Sequence, residues 1–246
     1  MTNRVVGTSP QVYARIGGVV YLLEIATAIF AELFVRSKLI VSGDATATAH
    51  NIMASESLWR LGFASDLINV ACFVAVALIL YVLLRPVNKN LALLAAFFSM
   101  AGNTIVGVAV LGHFAALLFL GGADYLKAFD PHQLQALALL SLKLHGVGYT
   151  VSMVFFGCYC PLNGYLILRS GYLPKFLGAF LVLGGAGYLT GSFADFLAPA
   201  FAARISIGSL APGAVAELSL ALWLLVMGVN VAKWEERASA GREGTA

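Results

Sequence analysis

Eight ionisable side chains lie toward the same end of otherwise apolar segments, whereas Glu24 and the amide Asn103 lie nearer the middle. These eight are the residues with which this sequence could do chemistry. Charged side chains in such segments face the interior of a helix bundle or a water-filled cavity and tend to pair, because exposure to lipid is unfavourable. Glu32 and Arg36 are four residues apart, which places them on one face of a helix. Arg60 is expected to approach Asp66 or Glu217. We predict a pocket formed by Glu32, Arg36, Arg60, Asp66, His113, His145, Asp195 and Glu217.

The acids of this predicted pocket outnumber its two arginines, and such an excess of acids is typical of two kinds of function. The first is binding or transport of a small polar solute or a proton, with the acids as ligands and Arg36 and Arg60 balancing their charge. The second is an intramembrane enzyme in which His145 and either Asp66 or Glu217 act as general acid and base on a lipid-like substrate. We favour binding or transport because no nucleophile or metal set accompanies the histidine. A structural salt-bridge lattice and a role as membrane partner of another protein stay open.

The motifs of common cofactor and nucleotide sites do not occur in the sequence, and no cofactor or metal is predicted. The sequence has no HExxH, GxSxG or GxxxxGK[ST]. His113 and His145 fall at similar depth on neighbouring apolar segments, as a bis-histidine haem site requires, but we interpret both as hydrogen-bonding residues. Cys158 and Cys160 are two residues apart and point to different faces of a helix, which favours neither a disulfide nor a metal pair.

Composition identifies the medium in which these residues work. Hydrophobic residues make up 60% of the chain, charged residues 11%, and the mean hydropathy is +0.88. Soluble domains contain about 25% charged residues, so the chain is expected to lie in a lipid bilayer. The net charge of +3 is small and dispersed, which argues against nucleic acid as a partner.

Six apolar runs are long enough for a helix to cross a hydrocarbon core about 30 Å thick. Only helices or closed barrels satisfy their backbone groups in lipid, and these runs lack strict alternation. We therefore predict an all-α polytopic bundle with short interfacial helices on the outer side, beginning after Asp44 and after Asp130 with Pro131. The predicted spans lie near 14–35, 58–84, 91–120, 143–168, 173–196 and 212–232.

Lysine and arginine predict the orientation, because they are retained on the cytoplasmic side of short loops. Nine lie at one set of ends: Arg4, Arg15, Arg85, Lys89, Arg169, Lys175, Lys233, Arg237 and Arg242. Six lie at the other: Arg36, Lys38, Arg60, Lys127, Lys143 and Arg204. Both termini are predicted to be cytoplasmic, as tails of residues 1–13 and 233–246 that flank one transmembrane domain of residues 14–232. Whether the protein forms a homo-oligomer is left open.

Several motifs in order carry a family resemblance. They are "FAELFVR", "GDATATAHNIMASESLWRLGFASDL", "LYVLLRPVN", "LHGVGY", "GYLILRSGYLPKFLG" and "AELSLALWLLVMGV". Together, from about Tyr13 to Val231, they resemble the bacterial multi-pass membrane proteins of domain-of-unknown-function family 4386. The resemblance implies a polytopic membrane protein and no established activity. One departure is Gly191, where the family resemblance leads us to expect an Asp before "SF"; Asp195 lies one turn further on.

The pocket hypothesis also predicts how charge-neutral variants behave. If Asp66 and Glu217 line a cavity, burial disfavours their charge. Asp66→Asn and Glu217→Gln are then expected to leave thermal stability unchanged or raised, while binding of the ligand or proton is lost.

Overall fold

The chain is a succession of helices joined by short connections. The computed structural model describes residues 9–243, and of residues 206, 207 and 241–243 it describes the backbone alone. The described residues contain no strand, which confirms the all-α prediction. The helices are α1 (Pro10–Leu39), α2 (Ala45–Ala54), α3 (Glu56–Leu84), α4 (Lys89–Leu120), α5 (Pro131–Ser170), α6 (Lys175–Leu197), α7 (Pro199–Val226) and α8 (Val231–Glu243), with a 3-10 helix, Asp124–Ala128, before α5.

Six of these helices are long and apolar enough to cross a membrane, which confirms a multi-pass membrane protein. They are α1, α3, α4, α5, α6 and the Gly208–Val226 part of α7. The prediction of a separate short interfacial helix after Asp130 is wrong. The helix that begins at Pro131 continues without interruption to Ser170 and includes the fourth span, which the sequence predicted near 143–168. No glycine or proline lies between Pro131 and Gly146 to end it.

The two predicted helix starts are confirmed by their caps. Asp44 precedes α2, and its side chain accepts a hydrogen bond of 2.8 Å from the backbone N–H of Ala47. Asp130 precedes α5 and accepts one of 2.8 Å from the backbone N–H of His132. In the opposite direction, the Gln133 side chain accepts a hydrogen bond of 3.0 Å from the backbone N–H of Asp130. This reciprocal arrangement is a capping box, which fixes the start of α5 after the Asp124–Ala128 connection.

The chain divides into two compact units. Of the described residues, unit 1 contains 9–22, Phe73–Gly102 and 153–243. Unit 2 contains Leu23–Cys72 and Asn103–Ser152. The core of unit 2 is formed by buried side chains of α1 to α5: Val35, Leu39, Ile52, Trp59, Ala116, Leu117, Ala138 and Leu142.

Within unit 1, a glycine stripe allows α6 and α7 to pack closely. A Cβ atom on Gly184 would lie 2.7 Å from the Cα of Gly213, and one on Gly191 would lie 2.6 Å from the Oγ of Ser209. A Cβ on Gly187 would meet the backbone oxygen of Ser209. Small residues at such a contact let two helix backbones approach each other. The stripe therefore serves a contact within the chain.

Candidate functional site

Arg36 is the centre of a buried ionic cluster in unit 2. It is the last residue of a π-helical segment of α1, Phe30–Arg36, and is 8% exposed. Its Nε donates to Glu32 Oε2 at 2.8 Å, as the four-residue spacing predicted, and its Nη1 donates to Asp66 Oδ2 at 2.7 Å. Asp66 is 7% exposed. The inward position expected for Asp66 is therefore explained by an ion pair with the arginine of α1.

His113 of α4 completes this cluster. Its ring lies against Trp59 of α3, with ring centroids 4.1 Å apart, and is fully buried. The Trp59 indole N–H donates to the backbone oxygen of His113 at 3.1 Å, and His113 Nε2 lies 3.1 Å from the backbone oxygen of Trp59. We call the four side chains of Glu32, Arg36, Asp66 and His113 the Arg36 cluster.

The contacts of His113 assign its protons. A backbone oxygen only accepts, so Nε2 carries a hydrogen and donates it to Trp59. The other nitrogen, Nδ1, lies 3.2 Å from Arg36 Nη1 and 3.3 Å from Asp66 Oδ2. Without a hydrogen, Nδ1 accepts from Arg36; with one, it donates to Asp66. Both protonation states of His113 therefore have a hydrogen-bond partner already in place.

The charge of the Arg36 cluster depends on that one proton. Glu32 and Asp66 carry one negative charge each and Arg36 one positive charge, so a neutral His113 leaves the cluster at −1. A proton on Nδ1 brings the cluster to zero. The Glu32 side chain is 61% exposed, so water solvates its charge. The three buried members, Arg36, Asp66 and His113, sum to zero without that proton and to +1 with it.

His145 of α5 lies beside His113 without sharing its hydrogen bonds. The two rings meet edge to face, with centroids 6.3 Å apart, and His145 Nδ1 lies 3.0 Å from the backbone oxygen of Ala109. Unlike His113, His145 is partly exposed. Both nitrogens of His113 are engaged by protein atoms, so this ring has none to offer an iron, and the pair does not fit a bis-histidine haem site.

A second buried acid in unit 2, Glu24 of α1, contacts the α3 face that carries Asp66. Asn69, three residues after Asp66, donates to the backbone oxygen and to Oε1 of Glu24 in α1, both at 2.9 Å. Glu24 is 8% exposed. Asn103 of α4 donates to the backbone oxygen of Val70 at 2.9 Å. Polar contacts of α3 thus continue past the Arg36 cluster toward the middle of the span.

Three residues of the predicted pocket, Arg60, Asp195 and Glu217, have no contact with the Arg36 cluster among the described hydrogen bonds and ion pairs. Arg60 pairs with Glu56 at 2.7 Å in an exposed contact, where the sequence suggested Asp66 or Glu217 as its partner. The signal was available, since Glu56 precedes Arg60 by one helical turn. Asp195 is exposed near the end of α6. Glu217 belongs to unit 1.

Glu217 has two donors in unit 1. The Tyr188 hydroxyl of α6 donates to Glu217 Oε1 at 3.1 Å, and the Cys160 thiol of α5 lies 4.0 Å from the same oxygen. Cys160 is fully buried and Glu217 is partly exposed. Among the described side chains, no lysine, arginine or histidine forms an ion pair with Glu217.

The enzyme hypothesis required His145 to share a proton with Asp66 or Glu217. The hydrogen-bond partners of Asp66 are Arg36 and His113, and those of Glu217 are Tyr188 and Cys160. His145 instead binds a backbone oxygen. The described contacts therefore do not assemble the acid and base pair that this mechanism needs.

Sequence reasoning missed Trp59, Gly62 and the π-helical segment. Trp59 and Asp66 are seven residues apart, two turns along one face of α3, so a search of that face would have found the tryptophan. Gly62 lies between them, where a Cβ would be 3.2 Å from His113 and 2.9 Å from Val35. A π-helical turn is rare and often occurs at a functional site. The residue pattern of Phe30–Arg36 has no feature that distinguishes it from an α-helix.

Comparisons with known proteins confirm the family resemblance found in the sequence. A family model described as "Domain of unknown function (DUF4386)" matches residues 16–228. A protein of Archaeoglobus fulgidus described as "Uncharacterized protein" is 30% identical over 155 residues, covering 63% of this chain and 76% of its own length. No solved structure matches.

Proposed function

We propose that this chain, which belongs to the DUF4386 family, binds and moves protons through the membrane by way of the Arg36 cluster. The observation that carries the proposal is the position of His113 Nδ1, 3.2 Å from a donor on Arg36 and 3.3 Å from an acceptor on Asp66. A group that must gain and lose a proton away from water needs a partner in each state, because an unpartnered polar atom there is destabilising.

Buried ionic contacts that serve structure alone do not need this property. Arg36 and Asp66 already satisfy each other at 2.7 Å, with Glu32 as the second acceptor for the guanidinium. His113 adds a ring nitrogen, Nδ1, that can either accept a hydrogen bond or carry a hydrogen. It is held by Trp59 through Nε2, so only Nδ1 is left to exchange.

Protons would reach the cluster along the partly exposed side chains that border it. The Glu32 side chain is 61% exposed while it contacts Arg36, and the ring of His145 is partly exposed beside His113. From Asp66, the polar side chains of Asn69 and Glu24 continue along unit 2. Proton pathways in membrane proteins are commonly built from such rows of acids and histidines.

Proton flux into vesicles tests the proposal. Purified protein would be reconstituted into potassium-loaded liposomes that contain a pH-sensitive dye, and valinomycin would impose an inside-negative potential. We expect acidification of the lumen with wild type and a loss of at least tenfold in initial rate for His113→Gln and Asp66→Asn. His145→Gln should slow uptake while leaving Asp66, Arg36 and His113 in place.

The matched control is His132→Gln. His132 is exposed, and only its backbone N–H is used, in the cap of α5. This variant should conduct as wild type does. Wild-type vesicles no more permeable than empty ones, or a folded His113→Gln protein with the wild-type rate, would overturn the proposal.

We further propose that both termini face the cytoplasm, which places Arg36, near the end of α1, toward the outer surface. The proposal rests on the nine basic residues at one set of ends against six at the other. Reporter fusions after Asn88 and after Trp234 should both report a cytoplasmic location. Export of either fusion would contradict this orientation.

A further inference from the structure

Glu217 is an acid in the middle of a membrane span. Glu217 lies 13 residues after Arg204, the preceding charged residue of the chain, and nine residues before the end of α7 at Val226. At 1.5 Å per residue these separations are about 20 Å and about 13 Å of helix rise. The site is distinct in residues and in unit from the Arg36 cluster, and the inference does not rest on the proposed function.

The side chains around Glu217 provide hydrogen-bond donors but no positively charged partner. Tyr188 and Cys160 both direct a hydrogen at Oε1, from 3.1 Å and 4.0 Å. No ion pair joins Glu217 to any of the basic side chains that the structure describes. With Oε1 already accepting twice, Oε2 is the oxygen that has room for a proton of its own.

A glycine of α7 leaves the space that the Tyr188 side chain occupies. Gly213 precedes Glu217 by one turn of α7, and a Cβ there would collide with the ring and hydroxyl of Tyr188. Because residue 213 has no side chain, the phenol can lie across α7 and reach the carboxyl of Glu217. Gly184 of α6 keeps the two helices close at the same level, where its Cβ would lie 2.7 Å from the Cα of Gly213. The site is therefore formed by three helices of unit 1.

We infer that Glu217 is a second proton-binding site, which holds its proton at mid-span and is reached from the lipid. Glu217 is partly exposed in a segment that is long and apolar enough to cross a membrane. In a bilayer its exposed part would face hydrocarbon. A carboxyl without a cation partner there is accommodated as the neutral acid. A metal cation would need several oxygen or nitrogen ligands, whereas the two groups at Oε1 are donors. Within the described residues, no group of three or more His, Cys, Asp or Glu side chains is arranged for a metal ion.

A hydrophobic carbodiimide is a direct probe of such a group. The acid adds across a C=N bond of the reagent: its proton moves to nitrogen, its oxygen bonds to the central carbon, and an oxygen-to-nitrogen acyl shift then gives a stable N-acylurea. Nothing leaves, so the modified residue gains the whole mass of the reagent. Wild-type protein in liposomes would be treated with dicyclohexylcarbodiimide or with a water-soluble carbodiimide, and its peptides analysed by mass spectrometry.

We expect dicyclohexylcarbodiimide to modify Glu217 at least tenfold more than Glu236, an exposed acid of α8, and the extent to fall as the pH is raised. The water-soluble reagent should reverse the preference. Tyr188→Phe should increase modification of Glu217 severalfold at a fixed pH, because the hydroxyl no longer occupies Oε1. Glu217→Gln should abolish the adduct.

Three results would overturn the inference. One is no adduct on Glu217 at any pH in a sample whose other acids react. Another is equal modification by the two reagents, which would place Glu217 in water. The third is protection by sodium chloride at constant pH relative to choline chloride, which would assign the site to a metal cation.

Discussion

The charge of Asp66 is expected to stabilise the protein, and Asp66→Asn tests this. Opposite unit charges 2.7 Å apart attract by about 6 kcal/mol at an effective dielectric constant of about 20. Most of that attraction offsets the desolvation of Arg36 and Asp66, which are 8% and 7% exposed. Removing one partner of a buried ion pair costs about 3–5 kcal/mol. Asparagine keeps an acceptor for Arg36, and Glu32 stays at 2.8 Å, so we expect a loss of about 2–3 kcal/mol.

The exposed pair of Glu56 and Arg60 is the matched control, because its N–O distance is also 2.7 Å while its side chains are 41% and 55% exposed. Glu56→Gln should cost only about 0.3–0.5 kcal/mol. The free energy of unfolding would be measured by denaturant titration in detergent micelles, followed by tryptophan fluorescence. The double variant Arg36→Gln, Asp66→Asn should lose less than the sum of the two single variants, because neither charge is then left alone.

An Asp66→Asn protein as stable as Glu56→Gln, or single effects that add without coupling, would refute this reasoning. Either result would instead support the expectation drawn from the sequence, that Asp66 lines a cavity and that neutralising it leaves the stability of the protein unchanged. The ion pair with Arg36 reverses that expectation for Asp66. For Glu217, which has no such ion pair, Glu217→Gln is still expected to leave stability unchanged or raised.

Three further outcomes are expected. Gly112→Ala should destabilise the protein by about 1–3 kcal/mol, because the new Cβ would lie 2.6 Å from the backbone oxygen of Ser141. Gly146→Ala on α5 should stabilise it by about 0.5–1 kcal/mol, because no atom lies within 4 Å of the new Cβ. Equal effects of the two variants in the same denaturant titration would contradict the α4–α5 contact. Burial raises the pKa of Tyr172, whose hydroxyl donates to the Leu83 backbone oxygen at 2.7 Å. The folded state then holds the phenol proton more tightly than the unfolded chain, so the free energy of unfolding should decline as the pH rises above about 10, and Tyr172→Phe should remove that slope. All three cysteines are free and should stay reduced; a Cys158–Cys160 cross-link in non-reducing mass analysis would contradict α5.

Contacts that lie within one helix could be predicted from the sequence. The pairing of Glu32 with Arg36 follows from their spacing, and the caps at Asp44 and Asp130 follow from residue types at a helix start. The pair of Glu56 and Arg60 obeys the same rule and was overlooked in favour of a more distant acid. The depth of a residue along its span predicted contacts between helices less well. Two residues at similar depth on different helices are in contact only if they lie on the faces where the two helices pack together.

The sequence alone determined the medium and the number of spans, because both depend on the length and polarity of continuous segments. It also identified Asp66 as a residue that must turn away from lipid, since a carboxylate there is poorly solvated. The tertiary structure decided which groups meet it. The rotation of α3 and α4 about their axes brings Trp59 against His113, and the π-helical turn of α1 aims Arg36 at Asp66. Such rotations are set by side-chain packing between helices, which no spacing along one helix encodes.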